Sequence, residues 1–193
     1  GARLSFSPLD AWQVTLNAGQ SRDDSQTYYQ GTYYGEYYPR APVYYTNSRR
    51  NQASWQNDIS LATNQLLTVG VDYQQENLAS DVGYLASSVG DTGTFAQYQG
   101  TFGQNELQLS ARHDNNGQFG GHDTGGIAWG YHFDHGLRLS ASYGTAFHAP
   151  TFNDLYYPPY YGAPSANPDL KPEKSRSGEL DLAQELDSWN WAL

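Results

Sequence analysis

Residues 105–144 read NELQLSARHDNNGQFGGHDTGGIAWGYHFDHGLRLSASYG, and this stretch predicts three neighbouring β-strands. Leu107, Leu109 and Ala111 alternate with polar residues, and the two segments that follow repeat the pattern. A period of two residues places successive side chains on opposite faces of a strand. Gly-rich and Asp-containing turns separate the segments, which is typical of antiparallel hairpins.

The alternation continues along the chain in both directions. Further alternating segments lie around Val14, Trp55, Val69 and Leu180. Short turns are predicted near residues 7–10, 62–65, 102–105, 133–136 and 187, and long loops near 23–50, 78–91, 113–122 and 146–174. No stretch of useful length has helical periodicity. The sequence therefore predicts an all-β fold, an up-and-down antiparallel meander of about nine or ten strands.

Composition narrows the class of protein. The 193 residues carry 20 acidic and 10 basic side chains, so the net charge of −10 argues against a nucleic-acid partner. The absence of cysteine excludes disulfides and thiolate metal sites. No run of about 18 apolar residues is present, so the sequence encodes no membrane-spanning helix.

The two faces of the predicted strands differ in a way that suits a membrane barrel. One face carries charged side chains such as Asp72, Arg112 and Asp181, while the other is apolar and ends in Trp or Tyr. Aromatic side chains at strand ends and polar side chains on an inner wall are typical of transmembrane β-barrels. Because the last strand has barely begun when the chain ends, we expect part of a larger barrel. A soluble β-rich module with Tyr-rich binding loops remains the alternative.

Two motifs carry a resemblance to a known family. The segment ASYGTAFHAPTFNDLYYP at 141–158 ends one strand, and NPDLKPEKSRSGEL at 167–180 opens the next. Together they resemble the β-barrel of TonB-dependent outer-membrane receptors. In that family a Tyr-Gly-x-x-Phe/Tyr-x-Ala-Pro segment precedes Asn-Pro-x-Leu-x-Pro-Glu-Lys-Ser. The resemblance spans residues 1–193 as a partial barrel without the plug domain.

The resemblance implies a function and a location. Members of this family lie in the outer membrane of Gram-negative bacteria, among lipid and lipopolysaccharide, and import large ligands through a plug that contacts TonB. The order and lengths of the loops are most similar to those of members that import cobalamin. A ferric-siderophore receptor is the alternative. Neither function is enzymatic, and neither requires a cofactor.

Candidate ligand contacts follow from polar and aromatic side chains near the predicted long loops. Tyr combines a rigid apolar ring with a polar tip, which suits a large amphipathic ligand. Carboxylates and amides near the mouth of the barrel are expected to bind the amides of a corrin. The predicted substrate-binding residues are Tyr28, Tyr29, Asp72, Gln74, Glu76, Asp91 and Thr92.

The resemblance also implies calcium between the extracellular loops, held by clustered Asp. Asp23 and Asp24 lie where such ligands are expected, and calcium takes six to eight oxygen ligands. The segment that follows, YYGEYYPR, has Tyr and Pro where a further acid is expected. Solvated acids are the alternative interpretation.

An enzymatic alternative depends on two histidines. His113 and His122 lie near Asp114 and Asp123 in one hairpin, as in the site of an outer-membrane hydrolase. That hypothesis requires the histidines to converge beside the acids. No metalloprotease, nucleophile-elbow or phosphate-loop motif accompanies them, so no enzyme activity is expected.

Overall fold

The structure, a computed structural model, describes residues 1–33, 36–159, 164–186 and 189–193, with the backbone only of residues 29, 33, 38 and 40–43. The strands are β1 (Ala2–Leu9), β2 (Trp12–Tyr33), β3 (Glu36–Ala62), β4 (Gln65–Ser80), β5 (Ser88–Phe102), β6 (Asn105–Asn116), β7 (Gly120–His132), β8 (Leu137–His148), β9 (Glu173–Leu186) and β10 (Trp189–Ala192). A 3-10 turn lies at Asp134–Gly136 and a short helix, α1, at Phe152–Tyr156. No helix in these ranges is long and apolar enough to cross a membrane.

The strands form a single antiparallel sheet in which each strand pairs with its neighbours in the sequence. The sheet has ten strands in the order β1 to β10, which confirms the predicted meander. Short connections at 10–11, 63–64, 103–104 and 133–136 define one end of the sheet, called here the short-turn end. The opposite end is called the long-loop end. The turn predicted near residue 187 lies outside the described residues.

The two faces of the sheet differ as the alternation predicts. The apolar face carries Trp55, Leu109, Ile127, Leu180 and the residues in register with them. The exposed fraction is 51% for Trp55, 47% for Ile127 and 73% for Leu180. These side chains therefore form an open surface, and no second sheet covers them among the described residues. Within the described residues, the sheet therefore lacks the second layer that a β-sandwich core needs.

Aromatic side chains anchor the apolar face at its short-turn end. Their polar atoms donate hydrogen bonds to side chains of the neighbouring turns: Trp129 Nε1 to Asn105 Oδ1 at 3.1 Å, Tyr131 Oη to Gln104 Oε1 at 2.6 Å, and Tyr98 Oη to Gln65 Oε1 at 3.0 Å. An apolar ring with its polar tip turned toward the turns is the arrangement of an aromatic girdle at a membrane interface.

The segment at 23–50, predicted as a long loop, is instead a long two-stranded ribbon. β2 has 22 residues and β3 has 27, and they remain paired as far as Tyr33 and Glu36. β4 leaves β3 at Thr46, so the outer part of the ribbon has no third strand from the described part of this chain. Pro42 lies where the register shifts, because proline cannot donate a hydrogen bond to the ladder.

The other predicted loops are shorter than their predicted bounds. Pairing continues to Ser80 and resumes at Ser88, so the loop predicted at 78–91 occupies 81–87. The loop predicted at 113–122 is a tight turn at 117–119, and the one at 146–174 spans 149–172. Strand pairing extends beyond the predicted strand ends because backbone hydrogen bonding continues even where apolar and polar side chains no longer alternate.

Helix α1 was not predicted from the sequence. The Thr151 hydroxyl accepts a hydrogen bond from the Asp154 amide, and the Asp154 carboxylate accepts one from the Thr151 amide, at 3.2 and 2.9 Å. This capping box starts a helix of five residues, which is too short to produce visible helical periodicity.

Candidate ligand-binding rim

The candidate site lies on the polar face of the sheet at its long-loop end and is called here the rim. Four of the predicted substrate-binding residues lie on this face: Asp72, Gln74 and Glu76 of β4 and Asp91 of β5. Gln74 pairs with Asp91, and Asp91 pairs with Asn116 of β6. The strand register therefore brings these predicted residues together.

Arg112 of β6 reaches across β5 and bonds to β4 in the rim. Its guanidinium donates to both carboxylate oxygens of Asp72 at 2.7 and 3.0 Å and to Asp114 at 2.8 and 2.9 Å. Gly93 lies directly beneath the guanidinium, and a Cβ built at that position would overlap it. The absence of a side chain at Gly93 allows Arg112 to lie flat on the wall and reach Asp72.

A second ion pair lies nearer the long-loop end. Arg50 of β3 pairs with Glu76 of β4, and Gln74 Nε2 donates to the Glu76 carboxylate at 3.3 Å. The rim as a whole contains more acids than bases: Asp72, Glu76, Asp91 and Asp114 against Arg50 and Arg112. Since both guanidinium groups are already paired, the remaining negative charge faces the open side of the sheet.

Two long connections pack together above the rim and are called here the loop cluster, residues 81–87 and 149–159. The Tyr84 ring contacts the rings of Phe152 and Tyr157 at centroid distances of 5.9 and 5.7 Å. The Leu85 amide donates to the Tyr156 carbonyl at 3.1 Å. Leu155 of α1 is only 1% exposed, which makes it the most deeply buried apolar side chain of the described residues. The loop cluster therefore has its own small core.

A pocket of about 330 Å³ lies between the rim and the loop cluster. The strands contribute Arg50, Gln74, Glu76 and Asp91, and the turn after β6 contributes Gln118 and Phe119. The segment from Pro150 to Phe152 forms the roof. Charged and amide side chains on the sheet side therefore face a more apolar roof, and polar groups that converge on a concave site can orient a ligand.

Thr92, also predicted to bind substrate, does not belong to this site. It follows Asp91 directly in β5 and pairs with Tyr73 on the apolar face. Adjacent residues of a strand point to opposite faces, so Thr92 faces away from Asp91 and Gln74. A contact between Thr92 and the ligand stays a prediction, and it would have to be made on the other face of the sheet.

Tyr28 lies far from the rim. It pairs with Pro42 in the outer ribbon, whereas the rim residue Glu76 pairs with Arg50, about eight residues away along β3. At about 3.3 Å per residue, this separation is roughly 26 Å. The Tyr28 hydroxyl donates to Gln26 Oε1 at 2.6 Å. The side chain of Tyr29 lies outside the described residues, so its ligand contact stays a prediction.

Asp23 and Asp24 do not form a calcium site together. They are consecutive residues of β2 and lie on opposite faces of the ribbon. Arg22, Asn47 and Tyr45 all donate to the Asp24 carboxylate, and the bond from Arg22 is the largest cause of its lowered pKa. No group of three or more His, Asp or Glu able to hold a metal is found within the described ranges. The described residues alone thus do not fit the calcium expectation.

The two histidines of the hydrolase hypothesis also lie on opposite faces. His113 pairs with Asp123 on the apolar side, where Nδ1 lies 2.7 Å from the carboxylate. His122 pairs with Asp114 on the polar side and stacks against Phe147 at 4.9 Å. Since they do not converge, the structure contradicts this hypothesis.

Sequence reasoning missed three residues of the rim: Arg50, Arg112 and Gln118. Arg112 was placed on the polar face, but its partner Asp72 is 40 residues away in the sequence. Gln118 lies in a Gly-containing turn that was interpreted only as a connection. A signal for Arg50 was available, since alternation along β3 places it on the same face as Asp58.

Comparison with known proteins agrees with this architecture. The family model described as "TonB dependent receptor-like, beta-barrel" matches residues 1–193. The vitamin B12 transporter BtuB of Vibrio vulnificus is 38% identical over 144 residues, covering 72% of this chain and 22% of the relative. BtuB of Photobacterium profundum is 30% identical over 147 residues, covering 76% of this chain and 23% of the relative. The chain thus spans less than a quarter of these curated relatives.

Solved structures support the fold. The siderophore receptor PirA of Acinetobacter baumannii gives a TM-score of 0.75 at 15% identity, covering 94% of this chain and 31% of that one. A mutant of the ferric enterobactin receptor PfeA of Pseudomonas aeruginosa gives 0.71 at 17%, with the same coverage. The two curated relatives are named as transporters, in agreement with the expectation that this chain is not an enzyme. The chain belongs to the β-barrel family of TonB-dependent receptors, proteins of the Gram-negative outer membrane.

Proposed function

We propose that this chain is part of an outer-membrane receptor that captures cobalamin at its long-loop end for TonB-dependent import. Two curated relatives with 38% and 30% identity are vitamin B12 transporters, and this similarity supports the choice of ligand. The observation that carries the proposal is the charge of the rim, where carboxylates outnumber guanidinium groups and both guanidinium groups are already paired.

The rim chemistry favours a neutral ligand rich in amides. Recognition of an anionic chelate normally uses Arg or Lys free to pair with it. Here the Arg112 guanidinium is held between Asp72 and Asp114, and Arg50 is paired with Glu76. The rim also offers the amides of Gln74, Asn116 and Gln118, which can both donate and accept hydrogen bonds. Corrin side-chain amides match that set.

A ferric siderophore is the second candidate ligand. Its support is the similarity in fold to the PirA and PfeA receptors, which at 15% and 17% identity concerns the fold alone. An anionic ferric chelate would meet the unpaired negative charge of the rim. The electrostatics therefore favour cobalamin between these two ligands.

The same proposal orients the sheet in the membrane. The apolar face contacts outer-membrane lipid and lipopolysaccharide, with the aromatic residues near Trp129 at one interface. The polar face lines the lumen, and the long-loop end is extracellular. The Tyr-rich ribbon around Tyr28 then extends outside the membrane, where a ligand arrives first.

Within this mechanism, the residues of this chain bind and orient the ligand. The loop cluster forms a roof over the rim pocket, and the charged wall excludes anionic competitors. Release into the periplasm requires the plug and TonB, and the energy for release enters through them. Calcium binding by Asp23 or Asp24 stays a prediction that needs carboxylates from other parts of the receptor.

Equilibrium binding to the complete receptor in detergent tests the proposal. We expect saturable binding of cyanocobalamin that excess ferric enterobactin does not displace. Replacing Tyr28 and Tyr29 by Ala is expected to weaken capture, and Tyr44→Ala on the same ribbon serves as a matched comparison. A calcium chelator in a parallel series tests the metal separately. Binding of the ferric chelate without binding of cyanocobalamin would refute the cobalamin assignment.

A further inference from the structure

We infer that the rim pocket is a subsite for one neutral carboxamide of the ligand, with Asp91 accepting from its N–H and Gln118 donating to its carbonyl. This inference rests on the proposed cobalamin function and adds the group that the pocket selects. It concerns two side chains from different parts of the sequence that meet only in the folded sheet.

Two buried polar atoms in the pocket wall have no hydrogen-bond partner among the described residues. They are Oδ1 of Asp91 and Nε2 of Gln118. Both residues line the pocket. A buried polar atom without a partner is costly, so folded proteins normally supply one from the protein, from water or from a ligand. One of these atoms is an acceptor and the other is a donor.

A third such atom, Nδ1 of His122, lies nearby but outside this pocket. The His122 ring contacts the rings of Phe119 and Phe147 at 5.7 and 4.9 Å. Since His122 does not line the pocket, it takes no part in the inferred subsite.

The turn that carries Gln118 is held rigidly against the neighbouring strand. The Gly117 amide donates to the Gly90 carbonyl at 2.9 Å, and the Gln118 amide donates to Asn116 Oδ1 at 2.9 Å. These bonds fix the backbone at Gln118 before any ligand arrives. A backbone that is already fixed loses less conformational freedom on binding, which lowers the cost of recognition by the side chain attached to it.

Charge and shape select a carboxamide over related groups. A carboxamide provides an N–H donor and a carbonyl acceptor, which complement Asp91 and Gln118. A carboxylate lacks the donor and would lie beside the carboxylates of Glu76 and Asp91, while Arg50, the basic residue of the lining, is paired with Glu76. The apolar rings of Phe119 and Phe152 close the sides of the pocket. A volume of about 330 Å³ accommodates a side chain of a corrinoid but not the whole macrocycle.

Titration of the complete receptor with two kinds of ligand tests the inference. One is cyanocobalamin, and the other is the set of its monocarboxylate derivatives, in each of which one peripheral carboxamide is hydrolysed to a carboxylate. For wild type, we expect at least one monocarboxylate to bind about 10-fold or more weakly, the effect of one lost hydrogen bond to a charged group. Asp91→Asn should bring this ratio close to one because the repulsion disappears. Gln118→Met should weaken cyanocobalamin about 10-fold, since the donor is lost while side-chain length is kept.

Gln97→Met is the matched control, because this residue lies on the polar face well away from the pocket. We expect it to leave both affinities unchanged. Thermal unfolding of each variant in detergent confirms folding, and a variant that fails to fold is replaced by Asp91→Ser or Gln118→Leu.

The outcomes distinguish a failure of the inferred subsite from a failure of the proposed function. If wild type does not bind cyanocobalamin, the proposed function fails and the subsite fails with it. If wild type binds cyanocobalamin but Asp91→Asn leaves the amide-to-carboxylate ratio unchanged, the subsite is refuted while the function stands. An effect of Gln97→Met equal to that of Gln118→Met would also refute it.

Discussion

Replacing Leu155 by Ala should loosen both halves of the loop cluster at once. Helix α1 has only five residues, too few to be stable without tertiary contacts. Leu155 is 1% exposed, so its side chain is the main buried apolar group of α1. Burial of this residue therefore contributes strongly to the folded state of the cluster.

The size of the effect follows from the burial. Leu→Ala at a fully buried site costs about 2–5 kcal/mol, and the lower end applies where the surroundings can collapse into the space. A loop at the surface can collapse more readily than a protein core, so we expect about 2 kcal/mol. That loss raises the population of the opened loop cluster about 30-fold.

Hydrogen exchange of the complete receptor, followed by mass spectrometry, measures this opening. Two amides should exchange faster together: that of Leu85, which donates to the Tyr156 carbonyl, and that of Asn167, which donates to the Asp154 carbonyl. The first lies in the 81–87 loop and the second in the 149–172 connection. Joint acceleration would show that the two segments open as one unit.

The control is Leu170→Ala, which removes a Leu from the same connection that is already 41% exposed. We expect this variant to leave exchange near α1 almost unchanged. If Leu155→Ala accelerates exchange only in α1 and leaves the 81–87 loop as in wild type, the two loops are independent. That result would refute the proposed common core.

Three further predictions concern the wall, the membrane face and acid. Gly93→Ala should lower stability by about 1–3 kcal/mol because the added Cβ overlaps the Arg112 guanidinium. Gly90→Ala should have little effect because its Cβ meets no close atom, and thermal unfolding in detergent compares the two variants. Leu109→Lys on the apolar face should lower the free energy of unfolding by about 2–4 kcal/mol, whereas Gln108→Lys on the polar face should change it little. Refolding into lipid vesicles measures both variants, and equal losses of stability would refute the assigned faces. The pKa of Asp154 is lowered by hydrogen bonds from Thr151. The stabilisation of α1 by this carboxylate should therefore be complete above about pH 4 and decline as the pH falls through the lowered pKa. Hydrogen exchange at α1 that is already faster at pH 6 than at pH 7, after correction for intrinsic rates, would contradict this.

The positions of most strands could be predicted because alternation is a local property. The pattern around Leu107, Leu109 and Ala111 needs only neighbouring residues to define which side chains share a face. The same rule separates Asp91 from Thr92 and Asp23 from Asp24. The predicted loops at 23–50 and 78–91 contain Asp23, Asp24 and Asp91, and a loop has no alternation to follow. The structure shows that pairing continues through these residues.

Helix α1 and the observed bounds of the loops could not be predicted from the alternation of apolar and polar residues alone. The Thr151–Asp154 capping box is visible in the sequence, but a box of this kind predicts a helix start and not the contacts that keep five residues helical. Those contacts come from Tyr84, about seventy residues earlier in the chain.

The sequence by itself determined the class of fold, the polar and apolar faces and the family, because these depend on residue order within single strands and on one long motif. Only the tertiary structure decided which polar groups meet. The bond from Arg112 to Asp72 and the shared pocket of Asp91 and Gln118 depend on the register between strands. Register is set by turns and hydrogen-bond ladders together, and a shift of one residue would send each of these side chains to the opposite face.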